Sequence, residues 1–216
     1  MIQSRDQLNA MGTLPLPDRC FAMDCAGSLL VVGTAERNAV IVDLSTNPLQ
    51  AARPITATTL KMQTRAICCF PDGSGYAVGS VEGRASVQHI DPLKSGNNFA
   101  FKCHRDAATS YGVNCIRFHP KYAITFATAG SDGVVAFWDK ESRQRLEYLP
   151  SVNSPISAIS FSRDGSLLAY AISYDWSGGH EQYNANAKNS VMIHRLTESE
   201  VRPRPTPSSA YTRRRP

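Results

Sequence analysis

Long apolar runs are missing from this 216-residue chain. The best, Ser28 to Ala35, has strand length, far below the roughly 18 residues a membrane helix needs. The opening residues, Met1-Ile2-Gln3-Ser4-Arg5-Asp6, are polar and lack the apolar stretch of a signal peptide. The expectation is a soluble chain, neither inserted in a membrane nor secreted. Cysteine is scarce and poorly spaced for metal. The six residues, at 20, 25, 68, 69, 103 and 115, form no Cys-x-x-Cys pair and no zinc-type Cys-and-His spacing. Cys68 and Cys69 are neighbours in an apolar strand and so point to opposite faces. All six read as buried thiols in a reducing compartment, with no metal and no cofactor expected. Catalytic patterns are lacking too. Only Cys103-His104 and His119 tempt a nucleophile or base reading, and adjacent residues on a strand point apart. Neither an enzyme nor a small-molecule substrate is expected.

Hydrophobic residues nevertheless make up 42% of the chain, enough for a core, so a wholly disordered polypeptide is excluded. The formal charge is +5 and the pI near 9.0. This basicity is local. From Val201 onward the chain carries five arginines and no acid, which accounts for the whole excess, so residues 1–200 balance to zero. Four prolines in the same stretch oppose helix and sheet. Residues 201–216 are therefore expected to be a disordered tail, and Arg213, Arg214 and Arg215 are its candidate RNA-phosphate contacts.

The body reads as β throughout, in four copies of one grammar of apolar strand, turn, small-residue strand, turn and third strand. The first runs through Cys20-Phe21-Ala22-Met23, Ser28 to Thr34 and Ala39 to Leu44. The second takes in Ala66 to Phe70, a Pro71-Asp72-Gly73 turn, Tyr76 to Ser80, and Ala85 to Ile90. The third has Val113 to Pro120, Phe126 to Gly133 and Val134 to Asp139; the fourth Ile156 to Gly165, Leu167 to Ala171 and Val191 to His194. The small residues closing the middle strands are Gly33, Gly79, Gly130 and Ala171, spaced 46, 51 and 41 residues apart. A β repeat near 40–45 residues marks propeller blades. Ser131-Asp132-Gly133 followed by Trp138-Asp139 is the strongest copy: Asp-Gly suits a turn with positive φ, and Trp-Asp closes the third strand. The pattern resembles a WD-repeat β-propeller. In such repeats His104, Asp132 and Trp138 fall where a structural network stands, so they are expected to hold the blade rather than a ligand. Residues 19–200 are assigned to four blades. Leu14-Pro15-Leu16-Pro17, within residues 1–18, reads as the outer strand of an incomplete preceding blade. The expected whole is a ring of seven blades, of which this chain is the C-terminal part.

Departures from a repeat are where function sits. Two stand out: Asn98 to Arg105 before the third blade, and an insertion in the fourth, Ser173 to Asn189. Together with Glu82-Gly83-Arg84, Phe101-Lys102-Cys103-His104-Arg105, Phe118-His119-Pro120 and Phe137-Trp138-Asp139-Lys140, they resemble the poly(A)+ RNA export WD-repeat proteins. The mitotic checkpoint propellers that pair with the budding-uninhibited kinases share most of these blocks. The insertion Ser173-Tyr174-Asp175-Trp176-Ser177-Gly178-Gly179-His180-Glu181 is similar to the export proteins and not to the checkpoint ones.

The resemblance implies an all-β, non-catalytic adaptor. Its partners would be the GLEBS segment of a Gly-Leu-Phe-Gly nucleoporin and RNA or messenger ribonucleoprotein. Its place would be the nucleus and the nuclear pore, with shuttling to the cytoplasm and a further role at the mitotic spindle. The alternative is a checkpoint scaffold holding a kinase peptide. By motif match the ligand-binding candidates are Arg105, Asp175, Trp176, His180 and Lys188. Arg105 can fork onto a carboxylate or phosphate, and Trp176 can stack on a base or anchor a peptide. Arg84 beside Glu82 reads equally as a blade-edge ion pair. Gly178 stands where the family often has lysine, which weakens the case for a phosphate or acidic contact there.

Overall fold

A computed structural model describes residues 13–45, 56–57 and 59–204. Among the described residues, fifteen strands form four antiparallel meanders. The first sheet holds β1 (Cys20–Ala26), β2 (Leu29–Thr34), β3 (Asn38–Asp43) and β4 (Thr56–Ala57). The second holds β5 (Thr64–Cys69), β6 (Gly75–Ser80), β7 (Arg84–His89) and β8 (Phe99–Lys102). The third holds β9 (Val113–Phe118), β10 (Thr125–Gly130), β11 (Val135–Asp139) and β12 (Gln144–Tyr148). The fourth has three strands among the described residues: β13 (Ile156–Phe161), β14 (Leu167–Ile172) and β15 (Ser190–Arg195). Each sheet runs in chain order, and each has a register shift between its first two strands near the start of the first. This is the WD-repeat propeller architecture, and the strands expected from the repeat are all present.

The sheets stack through one recurring contact. In the second and third sheets, alanines on the inner strands receive large side chains of the sheet that follows. Ala66, Cys68, Ala77 and Ala85 of the second sheet meet Ile116, Phe118 and Phe126 of the third. Ala127, Ala129, Val135 and Phe137 of the third meet Ile156, Ile159, Leu168 and Tyr170 of the fourth. The first two sheets join through Val31, Ala39, Ile67, Tyr76 and Val78. Cys68 and Cys69 enter different cores, as opposite faces of one strand require. The first strands pack in series, β1 on β5, β5 on β9 and β9 on β13.

The outer strands were not read from the sequence. The stretch Asn98 to Arg105 was expected as a departure from the repeat, yet Phe99–Lys102 is β8 itself, the second sheet's fourth strand. Its alternate side chains Phe99 and Phe101 pack on the core beside Trp138. Cys103 and His104 accordingly lie in the turn after β8 and not on a strand.

Residue 201 does not begin the tail. Glu198–Val201 forms a short helix, α1, with a capping box between Thr197 and Glu200. Val201 is buried beside Leu146 and Leu149, and its carbonyl accepts a 2.8 Å hydrogen bond from Thr125 Oγ1. An apolar side chain just past the cap docks the segment that the prolines alone would release. Arg213, Arg214 and Arg215 lie outside the described residues. Leu14 to Pro17 pairs with no strand of this chain among the described residues; Leu14 rests on Val32, Val40 and Val42. No helix among the described residues is long and apolar enough to cross a membrane.

Candidate functional site

In a meander, alternate connections emerge at opposite ends. The loops entering each first strand and the turns between second and third strands therefore share one end of the propeller. That end carries the insertion, the turn after β8 and the Ser131-Asp132-Gly133 turn.

The insertion is held from below. Asp175 is 8% exposed. Its Oδ2 accepts hydrogen bonds from Ser131 Oγ and, at 2.8 Å, from Asn114 Nδ2, while Oδ1 accepts from the backbone N–H of Ser177 at 3.1 Å. Arg65 donates to the Asp175 carbonyl at 2.8 Å and stands 3.6 Å from the carboxylate. Burial on its own would raise the Asp175 pKa. The donors Ser131, Ser177 and Asn114 outweigh it and hold the carboxyl below its ordinary value. Asp175 thus faces the protein: it positions the loop and does not offer its charge to solvent.

Directly after this anchor the chain turns outward. Trp176 has φ 62°, a left-handed conformation rare for a bulky residue, and is 58% exposed. Its ring stacks on Tyr183 with centroids 5.1 Å apart and planes 8° apart. The Tyr174 hydroxyl donates to the Gly179 carbonyl at 2.8 Å and accepts from the Gly178 N–H at 3.0 Å. The result is an exposed two-ring platform on a pinned loop. His180 and Lys188 are exposed farther along the same loop. A side chain on Gly178 would meet the Gln182 amide at 2.1 Å, a contact relieved by moving that flexible side chain.

The turn after β8 is built around His104, which is buried with φ 48°. Its Nδ1 lies 2.9 Å from the Asp132 carboxylate and its Nε2 2.8 Å from Thr128 Oγ1. Trp138 Nε1 donates to the same Thr128 oxygen at 2.9 Å. A carboxylate only accepts, so Nδ1 carries the proton and Nε2 accepts from the threonine hydroxyl. Thr128 links the three residues picked out from the sequence and was not itself foreseen. A Cβ on Gly130 would lie 2.6 Å from His104 Nδ1, so only glycine lets the ring sit there. Glu82 and Arg84 form a half-buried pair at 3.8 Å.

Beside this network an open cavity of about 560 Å³ is lined by Lys102, Arg105, Asp132, Trp138, Arg145 and Tyr148. Arg145 lies over the Tyr148 ring at 4.9 Å. Two of these were missed because of backbone register. Trp138 pairs with Arg145 and Ala136 with Tyr148, an odd spacing that only a bulge at Leu146 brings to one face. Arg105 thus stands with five further polar or aromatic groups. No hydrogen bond, ion pair or ring contact joins it to Trp176, His180 or Lys188 among the described residues. The two halves meet one residue apart in the β10–β11 turn, where Ser131 holds Asp175 and Asp132 holds His104.

The tempting catalytic groups are enclosed. Burial pushes the Cys103 thiol far up from its ordinary value, with Asp132 adding to the rise. The His119 Nε2–H donates to the Gly165 carbonyl at 3.0 Å, while Nδ1 accepts from the Lys121 and Tyr122 amides. Burial lowers its pKa. No group of three or more His, Cys, Asp or Glu side chains among the described residues is placed to hold a metal.

The model of the WD domain, G-beta repeat, matches residues 97–139. The poly(A)+ RNA export protein of Schizosaccharomyces pombe is 48% identical over 92% of this chain and 57% of its own length. Protein RAE1 of Arabidopsis thaliana is 48% identical over 92% of this chain and 56% of its own. The mRNA export factor of Xenopus tropicalis is 41% identical over 91% and 55%. The chain therefore spans a little over half the length of these relatives. Among solved structures, a chain of Kuenenia stuttgartiensis Hydrazine Synthase superposes with a TM-score of 0.66 at 18% identity, over 91% of this chain and 51% of that one, a likeness of fold alone. With four WD-type sheets and these relatives along nearly its whole length, this chain is similar to the WD-repeat poly(A)+ RNA export proteins over a little more than half of their length.

Proposed function

We propose that this chain is part of a non-catalytic adaptor in mRNA export from the nucleus. It takes a GLEBS-type peptide of a Gly-Leu-Phe-Gly nucleoporin on its insertion-bearing end, and RNA or messenger ribonucleoprotein alongside, at the nuclear pore. Shuttling to the cytoplasm and a spindle role belong to the same reading. The names of the relatives support the export role. The observation that carries the binding reading is the pinned platform: Asp175, Arg65, Asn114 and Ser131 fix a loop whose next residue is an exposed, strained Trp176 stacked on Tyr183. A rigid aromatic anchor loses little entropy on binding, which is why tryptophan so often dominates interfaces. For RNA, the body's charge balance makes bulk attraction a poor source of affinity. The pocket of Lys102, Arg105, Arg145 and Tyr148 supplies placed cations and a ring instead.

Fluorescence anisotropy with a labelled GLEBS peptide and a labelled checkpoint-kinase peptide tests the reading. The GLEBS peptide binds more tightly, and Trp176→Ala weakens it about tenfold, near 1.4 kcal/mol, while leaving the melting temperature unchanged. Tighter binding of the kinase peptide, or indifference to Trp176→Ala, overturns it.

A further inference from the structure

The meander that gathers the insertion and the β8 turn at one end sends its other connections to the opposite end. These are the turns between first and second strands and the loops between third and fourth. There, between the second and third sheets, lies a cavity of about 420 Å³ whose lining includes Asp72, His89, Lys94, Lys140, Glu141 and Arg143. Asp72 sits in the β5–β6 turn, His89 ends β7, Lys94 follows it, and the other three belong to the β11–β12 turn. None of them serves the platform or the His104 network.

Both walls are fixed. On the third sheet Asp139 is 3% exposed, and its Oδ1 accepts from the N–H groups of Glu141 at 2.8 Å and Ser142 at 3.2 Å. The Lys140 N–H donates to the Ile124 carbonyl at 3.0 Å. Arg143 takes a left-handed φ of 58°, which a long side chain adopts where its surroundings impose it. On the second sheet a short 3-10 helix, Pro92–Asn97, starts with the Leu93 N–H donating to Asp91 Oδ1 at 2.9 Å. Asn98 Oδ1 accepts from the His89 N–H at 2.8 Å and lies 3.1 Å from His89 Nδ1. A backbone N–H only donates, so the Asn98 oxygen is identified, Nδ1 carries the proton, and Nε2 is left without a hydrogen bond among the described residues.

The cations are held but not spent. Lys140 Nζ stands 4.9 Å from the centre of the buried Phe70 ring, and the Arg143 guanidinium 5.0 Å from that of Phe99. Among the described residues Lys94, Lys140 and Arg143 make no ion pair. Asp72 is engaged locally: its Oδ1 accepts from the Ser74 N–H at 3.0 Å and the Ser74 hydroxyl at 2.7 Å. Burial on its own would raise the Asp72 pKa, but these bonds and the nearby charge of Lys140 hold it below the ordinary value. Three cations against Asp72 and Glu141 leave the lining net positive. In a body whose charges balance, that is a placed charge.

The occupant follows from donors and rings. One guanidinium fork and two ammonium groups offer more donors than a single carboxylate's two oxygens take up, whereas a phosphate monoester brings three oxygens and nearly two charges. Single-stranded RNA relies on stacking faces, and no tryptophan, tyrosine or phenylalanine is among the lining residues. A peptide finds an apolar contact instead at Leu93, 93% exposed and one residue before Lys94.

The geometry points to a second binding site, at the end of the propeller away from the insertion, for a phosphoserine or phosphothreonine side chain of a protein partner. Arg143 forks onto the phosphate, and Lys94 and Lys140 flank it. The site is separate from the nucleoporin and RNA reading.

Fluorescence anisotropy on the full chain tests this. The probes are a labelled degenerate peptide mixture with one central phosphoserine, the same mixture unphosphorylated, and a labelled oligouridylate. The phosphorylated mixture binds at least about tenfold more tightly than the unphosphorylated one, as expected for hydrogen bonds to charged groups. Lys140→Gln with Arg143→Gln abolishes that preference, leaves the far-UV circular dichroism spectrum unchanged and leaves GLEBS-peptide binding intact. Trp176→Ala leaves the preference intact, so the two sites fail separately. Equal binding of the two mixtures overturns the proposal, as does a preference that survives the double variant. Tighter binding of the oligouridylate, or displacement of the peptides by an equal concentration of inorganic phosphate, overturns it as well. If the double variant does not fold, Lys94→Gln, at an exposed side chain, carries the test, and undiminished phosphopeptide binding by that variant is equally fatal.

Discussion

The third sheet has four strands, a neighbour packed on each face, and the His104–Asp132–Thr128–Trp138 network at its upper end. The fourth has three described strands and one open face, and it carries Tyr170 and His194 in the register positions of Thr128 and Trp138. His194 turns instead to Glu200, 2.9 Å away in α1. Where the third sheet closes its second turn in four residues, the fourth extends it to the 173–189 insertion. One sheet uses the turn to hold itself together. The other uses it to present a surface, and the third sheet lends the anchor, because Ser131 of the compact turn grips Asp175 of the long one. A repeat can therefore spend some copies on stability and free others for binding.

Breaking the third sheet should cost most. Phe137 is fully buried between the third and fourth sheets, and Phe137→Ala should lower unfolding free energy by about 3–5 kcal/mol in urea titration. Ile193→Ala, its register counterpart on the open face, should change it by less than about 0.5 kcal/mol. Equal losses would erase the distinction between the sheets. His104→Ala should cost about 1–3 kcal/mol, because Asp132 and Thr128 lose a buried partner. Combined with Thr128→Ala its cost should be less than additive, and strict additivity would show that the bonds do not act as a network. The smallest effect is one of pH. His119 binds its proton more weakly folded than unfolded. Its contribution is therefore intact above the ordinary histidine value of about 6.5 and is lost as pH falls below it. Thermal melts between pH 7.5 and 5 should drop, and His119→Gln should flatten the decline; an unaltered slope would remove His119 as its source.

The inner strands and their Asp-Gly turns were legible in the sequence because period-two patterning and positive-φ chemistry are local. So was the trio His104, Asp132 and Trp138, which recurs at fixed places in the repeat. Thr128 was not, since a hydroxyl in a small-residue strand looks like packing until one donor and one acceptor converge on it. Asp175 entered as a ligand candidate by motif match, which carries no information on burial; its burial depends on Ser131 and Asn114, both distant in sequence. Arg145 and Tyr148 were hidden by a bulge that reverses strand parity. The ordered run through Val201 was hidden by the prolines beyond it.

Ser131 and Asp132 are joined by a single peptide unit, so the anchors of the aromatic platform and of the β8 turn are fixed about 3.8 Å apart at their α-carbons. That unit acts as a caliper. A partner touching both halves meets a gauge length set by a tight turn and not by either loop. Insertions or deletions after Tyr183 could alter the insertion's reach without changing the spacing its ligands must match.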